Sequence, residues 1–120
     1  MRTGVEFLAI GLSSLVLAGL WAGQNRVRLD PVQLPWKGLA GRHLLLVDAR
    51  TTEEYERGHL DGAISLPGRL RPNIPPELRQ GGVAVYGLPS RFGDIVNVAE
   101  ALAETRDQPV FIVIDAPLPP

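Results

Sequence analysis

The chain has 120 residues, 45% of them hydrophobic and 21% charged, with a formal net charge of −1 at pH 7. That length holds one domain and at most one added element, and the balanced charge gives no sign of a nucleic-acid surface, which would need clustered Lys/Arg. The absence of cysteine excludes disulfides, thiolate metal sites and thiol nucleophiles. The two histidines, His43 and His59, are too few for a His-rich metal site, so neither a metal nor a cofactor is expected.

The run from Phe7 to Gly23 carries no charge. With Gly4 and Val5 it reaches about 20 residues, enough to cross a hydrocarbon layer of about 30 Å as a helix. Residues 1–25 are therefore expected to form a single transmembrane helix, with Trp21 at the interface and Arg26 and Arg28 in the headgroups. A cleaved signal peptide would need small residues at −3 and −1 of a cut site. Leu20 and Trp21 interrupt each such pairing of Ala18, Gly19, Ala22 and Gly23, so an uncleaved anchor is expected. Gly19 and Gly23 have the spacing that lets two helices approach closely, although Gly and Ala are common in membrane helices in any case. The expected location is a bacterial inner membrane. The cations Arg26, Arg28, Lys37 and Arg42 after the span point to a cytoplasmic domain, whereas short N-terminal anchors often run the other way.

Residues 26–42 read as a linker or strap, because Pro31, Pro35, Gly38 and Gly41 forbid a long helix. The alternation of Val32, Leu34 and Trp36 suits a short first strand or an extended strap. Leu44–Val47 is a continuous apolar run ending at Asp48, the pattern of a buried parallel strand. Thr51 with Glu54 three residues on forms a capping box for a short helix, which stops at Gly58, a residue suited to the C′ position. Ala63–Leu66 is a second short strand. Pro75 and Pro76 mark a helix entry, and Val83–Tyr86 is the next buried strand. From Arg91, Ile95, Val98, Ala99, Leu102 and Ala103 fall on one helix face, and Val110–Ile114 is the last strand. Strands alternating with helices predict an α/β layered fold with a mostly parallel sheet.

Within residues 48–66 the order Asp48-x-Arg50, then Glu54-Tyr55, then Gly58-His59-Leu60-x-Gly62-Ala63, then a strand, resembles the signature of the rhodanese-like domain. The resemblance covers about residues 42–114. It implies a three-layer α/β fold with a small, mostly parallel sheet and helices on both faces, here assigned to residues 43–120. It also implies structural roles for Asp48, Arg50, Glu54, Tyr55, Gly58, His59, Gly62 and Ala63. An Arg50–Glu54 pair at i, i+4 would brace the helix, Tyr55 would lie in or half in the core, and His59 would pack and hydrogen-bond locally. The chain departs from the family in a shortened start, in a Pro-rich tail where the family adds a helix, and in its active-site loop.

In the family the strand resembling Val83–Tyr86 runs into a cysteine that carries persulfide sulfur, and a loop of backbone N–H groups wraps it. Aligned on that strand, the cysteine position is Gly87. The cationic and glycine positions after it are Leu88, Ser90 and Phe92, and Pro89 removes an N–H donor. The altered loop is thus Gly87, Leu88, Pro89, Ser90, Arg91, Phe92 and Gly93. Ser90 is expected to cap the following helix rather than to react, since no base is near it in sequence.

These readings describe a degenerate, non-catalytic rhodanese-like domain on a single-pass anchor. Its expected role is that of an accessory, assembly or structural subunit of a larger membrane complex of respiratory or photosynthetic type. The partners are the lipid bilayer and other membrane subunits, met through the span and the Pro-rich ends. With no covering helix after Ile114, one sheet face is expected to need cover from a partner, from the Val32–Trp36 strap or from the tail. The alternative is an anion-binding sensor, or a sulfur-transfer partner, using loop 87–93. A basic or hydroxyl-rich pocket there would favour the sensor, and a filled apolar one the interaction module.

Overall fold

The computed structural model describes residues 29–106 and 108–119. The expected membrane helix over residues 1–25 lies outside them. Among the described residues no helix is long and apolar enough to cross a membrane.

The apolar runs become strands: β1 (Val32–Gln33), β2 (Leu44–Asp48), β3 (Ile64–Ser65), β4 (Gly82–Tyr86) and β5 (Val110–Val113). They form one five-stranded sheet in the order β1-β5-β4-β2-β3, and every pairing is parallel. Helix α1 (Thr52–Arg57) lies between β2 and β3, and α2 (Phe92–Ala103) between β4 and β5. Residues 34–39 belong to the domain rather than to a free linker, because Leu34 N–H donates to the Ile112 carbonyl at 2.9 Å and Trp36–Leu39 forms a 3-10 turn.

Strand periodicity divides the core. Val47, Val83, Val85, Val110 and Ile112 point to one face, where they meet Ile95, Val98, Ala99, Leu102 and Ala103 of α2, with Leu66 and Leu78 from the β3–β4 connection. These five α2 positions are the ones whose spacing predicted a single apolar face, and all are buried.

Alternate residues Ala84, Tyr86 and Val113 point to the second face with Leu44, Leu46 and Phe111. Its cover comes from several short pieces: Tyr55 of α1, Leu60, Trp36 and Leu39 of the 3-10 turn, and Ala116 and Leu118 of the tail. The strap and tail are tied together, since Trp36 N–H donates to Asp115 Oδ1 at 2.7 Å. The chain itself thus supplies part of the cover expected from the strap, the tail or a partner.

Candidate functional site

From β2 the chain passes through α1 outward to β3, and from β4 it passes through α2 the other way to β5. The C-terminal ends of β2 and β4 therefore flank the point where the winding reverses, which is where open α/β sheets bind ligands. Asp48 and Tyr86 end these two strands and are paired in register. The segments that follow them hold the sequence-marked residues.

Under the crevice lies a buried polar cluster. Asp48 is fully buried and Arg50 is 6% exposed. Arg50 Nε and Nη2 clasp the Asp48 carboxylate, with Nη2 2.8 Å from Oδ2, and the Arg50 backbone N–H donates to Oδ1 at 2.9 Å. Nη2 also donates to the Gly58 carbonyl at 2.6 Å. The Tyr86 hydroxyl donates to Asp48 Oδ2 at 2.9 Å and accepts from Leu60 N–H at 3.1 Å. The hydrogen bonds that the Arg50 guanidinium donates to Asp48 raise the Arg50 pKa above its ordinary value. Burial, and then the hydrogen bond to Asp48, push the Tyr86 phenol up to about 12, which keeps it a donor. The cluster joins β2, β4 and the end of α1, and a buried ion pair so enclosed is held by its geometry.

The expected Arg50–Glu54 brace does not form. Arg50 precedes the N-cap Thr51, so it lies outside the helix in which i, i+4 positions meet. Its guanidinium turns to the strand end, and Glu54 pairs with Arg91. The capping box itself is present: Thr51 Oγ1 accepts from Glu54 N–H at 3.2 Å, and Glu54 Oε1 accepts from Thr51 N–H at 3.0 Å. Thr51 N–H, followed by Arg91, lowers the Glu54 carboxyl to about 2.

The rest of the motif makes local contacts. The Tyr55 hydroxyl donates to the Ala63 carbonyl at 2.7 Å. His59 stacks on Tyr55 with ring centroids 3.7 Å apart, and its Nδ1 lies 2.8 Å from the Tyr55 carbonyl. Gly62 has φ 77°, the left-handed backbone that favours glycine. Gly58 departs from expectation: with φ 162° it is extended rather than left-handed. Its lack of a side chain matters for packing instead, since a Cβ there would lie 3.2 Å from Pro119 Cβ in the tail.

In loop 87–93, Gly87 is buried. A Cβ at this position would lie 2.9 Å from Ile95 Cγ1, 3.4 Å from Ile95 Cδ1 and 3.7 Å from Ala49 Cβ. Ile95 is itself fully buried, so the space where a residue-87 side chain would stand is already filled. Leu88 is half-buried, and Pro89 and Ser90 are exposed. Ser90 does not cap α2. It falls inside a 3-10 turn over Pro89–Arg91, which shifts the cap to Arg91, and no side chain caps the helix. Arg91, the loop's cation, is bound to Glu54 and lies 3.9 Å from Asp94 Oδ2. Phe92 is 42% exposed, and Gly93 faces open space.

Three contributors escaped the sequence reading. Tyr86 read only as the end of an apolar strand, and Ile95 only as one apolar helix position. Gly68 is the third: a Cβ there would lie 2.1 Å from the Asp94 carbonyl oxygen, so only glycine fits where the loop after β3 presses on α2. Asn97 Nδ2 fastens the same contact, donating to the Gly68 carbonyl at 2.9 Å. Each of these depends on elements distant in sequence.

Chemically, the crevice offers the Ser90 hydroxyl, the Arg91 cation already neutralised by Glu54, a Glu54 carboxyl lowered to about 2 and a Tyr86 phenol raised to about 12. Among the described residues no group of three His, Asp or Glu could hold a metal ion. The chain finds no match among curated proteins. The family model described as "Rhodanese-like domain" matches residues 34–116, a stretch that runs from the strap to the start of the tail and contains the buried cluster and the filled loop. The chain therefore belongs to the rhodanese-like domain family.

Proposed function

We propose that the protein is a non-catalytic, membrane-anchored member of this family, acting as an accessory, assembly or structural subunit of a larger membrane complex. The observation that carries the reading is the filled position at Gly87. Sulfur transfer needs a thiolate in an electropositive, accessible setting. Here the aligned residue has no side chain, Ile95 takes its space, and Arg91 is held by Glu54. With the side-chain space at Gly87 taken by Ile95 and the Arg91 cation held by Glu54, the loop favours an interaction module over an anion sensor.

Contacts with other subunits are assigned to the uncharged Phe7–Gly23 run and to the Pro-rich ends. In support of the second, a groove of about 390 Å³ lies between those ends, lined by Gln33, Leu34, Pro35, Ile114 and Asp115. Val32 beside it is 47% exposed.

The test is gentle detergent extraction of the full chain, identification of co-purifying subunits and a thiosulfate:cyanide sulfur-transfer assay. Stoichiometric partner subunits without turnover are expected. A monomer free of partners would remove the accessory role, and turnover by the unaltered chain would remove the non-catalytic one. Carbonate washing checks the anchor separately, because release into the soluble fraction would refute it.

A further inference from the structure

A second groove, of about 320 Å³, opens on the second sheet face beside the Trp36–Leu39 turn, lined by Trp36, Lys37, Leu39, Arg42, Leu44 and Leu46 among others. We propose that it binds an anionic phospholipid, with the headgroup phosphate on Lys37 and Arg42 and the upper acyl chain along the leucines. This rests on the membrane-anchor reading above.

The groove exists because the second face is covered piecewise. Tyr55, Leu60, Ala116 and Leu118 pack against the cluster of Ala63, Ala84, Tyr86 and Val113 and do not line the groove. Toward the strand starts the 3-10 turn and Arg42 flank Leu44 and Leu46, which remain half-buried. Apolar surface left partly wet on a monomer marks a binding site.

The charge of the lining selects the ligand. Its ionisable side chains are both cations, Lys37 and Arg42, and no carboxylate lines it. Arg50, Arg71 and Arg91 each hold a carboxylate, whereas Lys37 and Arg42 have no ion-pair partner among the described residues. Arg42 is nevertheless fixed: its Nε donates to the Gly38 carbonyl at 3.0 Å, and its Cζ stands 5.1 Å from the centre of the Phe111 ring. Such a guanidinium is pre-oriented, with both Nη groups free to hold a phosphate. An indole, a lysine and an arginine around an apolar slot are the side chains that place an apolar body in lipid and a polar end in the headgroups. The volume of about 320 Å³ suits one small ligand. Residues 24–35 separate the uncharged run from Trp36 and span at most about 40 Å when extended, which keeps the groove within reach of a bilayer that holds the run.

The test uses the full chain with Trp21→Phe, leaving Trp36 as the only indole. The protein is reconstituted in phosphatidylcholine vesicles containing increasing brominated phosphatidylglycerol or brominated phosphatidylcholine, and Trp36 quenching is followed. Half-maximal quenching by the anionic lipid is expected at roughly 25-fold lower mole fraction, since each cation near the surface contributes about fivefold. Lys37→Gln and Arg42→Gln should each reduce that preference about fivefold, while Arg79→Gln, at an exposed cation outside the groove, leaves it unchanged. Unfolding curves on the same variants exclude loss of fold. Equal quenching by the two lipids overturns the proposal, as does equal sensitivity to Arg79→Gln or shielding of Trp36 by a co-purifying polypeptide irrespective of lipid. Should carbonate washing release the chain, the anchor reading fails by itself. The groove is then tested on the soluble chain with dodecyl phosphate against dodecyltrimethylammonium. Selective quenching or a spectral shift with the phosphate keeps the anionic headgroup site, and its absence overturns the site too.

Discussion

Restoring a cysteine at the aligned position tests the filled-crevice argument most directly. In Gly87→Cys the new Cβ begins 2.9 Å from Ile95 Cγ1 and 3.4 Å from Cδ1, inside the ~3.5–4.0 Å optimum for carbon pairs. Ile95 is fully buried on the α2 face that packs against the sheet, so its side chain has no solvent to swing into. Overpacking of this kind costs about 1–3 kcal/mol. Ile95→Ala alone leaves a cavity and costs about 2–5 kcal/mol. In the double variant the cysteine side chain enters the vacated space, so the combined loss should fall short of the sum by about 0.5–3 kcal/mol. With a urea slope of about 1–2 kcal/mol/M, Gly87→Cys shifts the unfolding midpoint down by roughly 0.5–3 M, and the double variant recovers part of the expected sum. Thiosulfate:cyanide transfer should stay at background in Gly87→Cys, because Leu88, Pro89 and Phe92 remain and Arg91 stays on Glu54. A Gly87→Cys protein as stable as the parent, with additive energies in the cycle and measurable turnover, would show that Ile95 does not fill the site and that the loop still supports sulfur chemistry.

The buried cluster should rank its members. Asp48→Asn leaves the Arg50 guanidinium buried without its charge partner and is expected to cost about 3–5 kcal/mol. Tyr86→Phe removes one of the hydrogen bonds to Asp48 Oδ2, which keeps Arg50, and leaves Leu60 N–H without its acceptor, and is expected to cost about 1–3 kcal/mol; equal or inverted losses in urea unfolding would contradict the geometry. Glu54 has its carboxyl lowered from 4.5 to about 2 in the folded chain. Its contribution is therefore complete above pH 4.5 and is lost as pH falls toward 2. Unfolding curves taken across that window should weaken in the parent, and Glu54→Gln should flatten part of the slope; an unchanged slope would deny the ionised Glu54 its contacts with Thr51 N–H and Arg91. Deleting residues 115–120 strips Ala116 and Leu118 from the second face and leaves Trp36 N–H without Asp115, a loss of about 2 kcal/mol or more. Thermal unfolding of the full chain measures it, and an unaltered midpoint would mean that the tail covers nothing.

The sequence by itself determined what local periodicity and short-range chemistry control. The apolar runs at Leu44–Val47, Val83–Tyr86 and Val110–Ile114 became parallel strands because a continuous apolar stretch suits burial on both faces. The α2 stripe was legible because helix spacing alone assigns its face, and the Thr51–Glu54 capping box was legible because its partners lie three residues apart. Composition had already fixed the absence of a thiol. Tertiary structure decided which partner each polar group found. Arg50 and Glu54 are four apart in sequence, yet one turned to Asp48 and Gly58 and the other to Arg91, because the helix begins between them. Ser90 lost its capping role when a 3-10 turn moved the start of α2 by one residue, a shift finer than propensity can resolve. The filled space at Gly87, the close contact at Gly68 and the tail over Gly58 are meetings of segments that only the folded topology brings together. A sequence records what each residue can offer, and a contact across elements also requires the path of the chain between them.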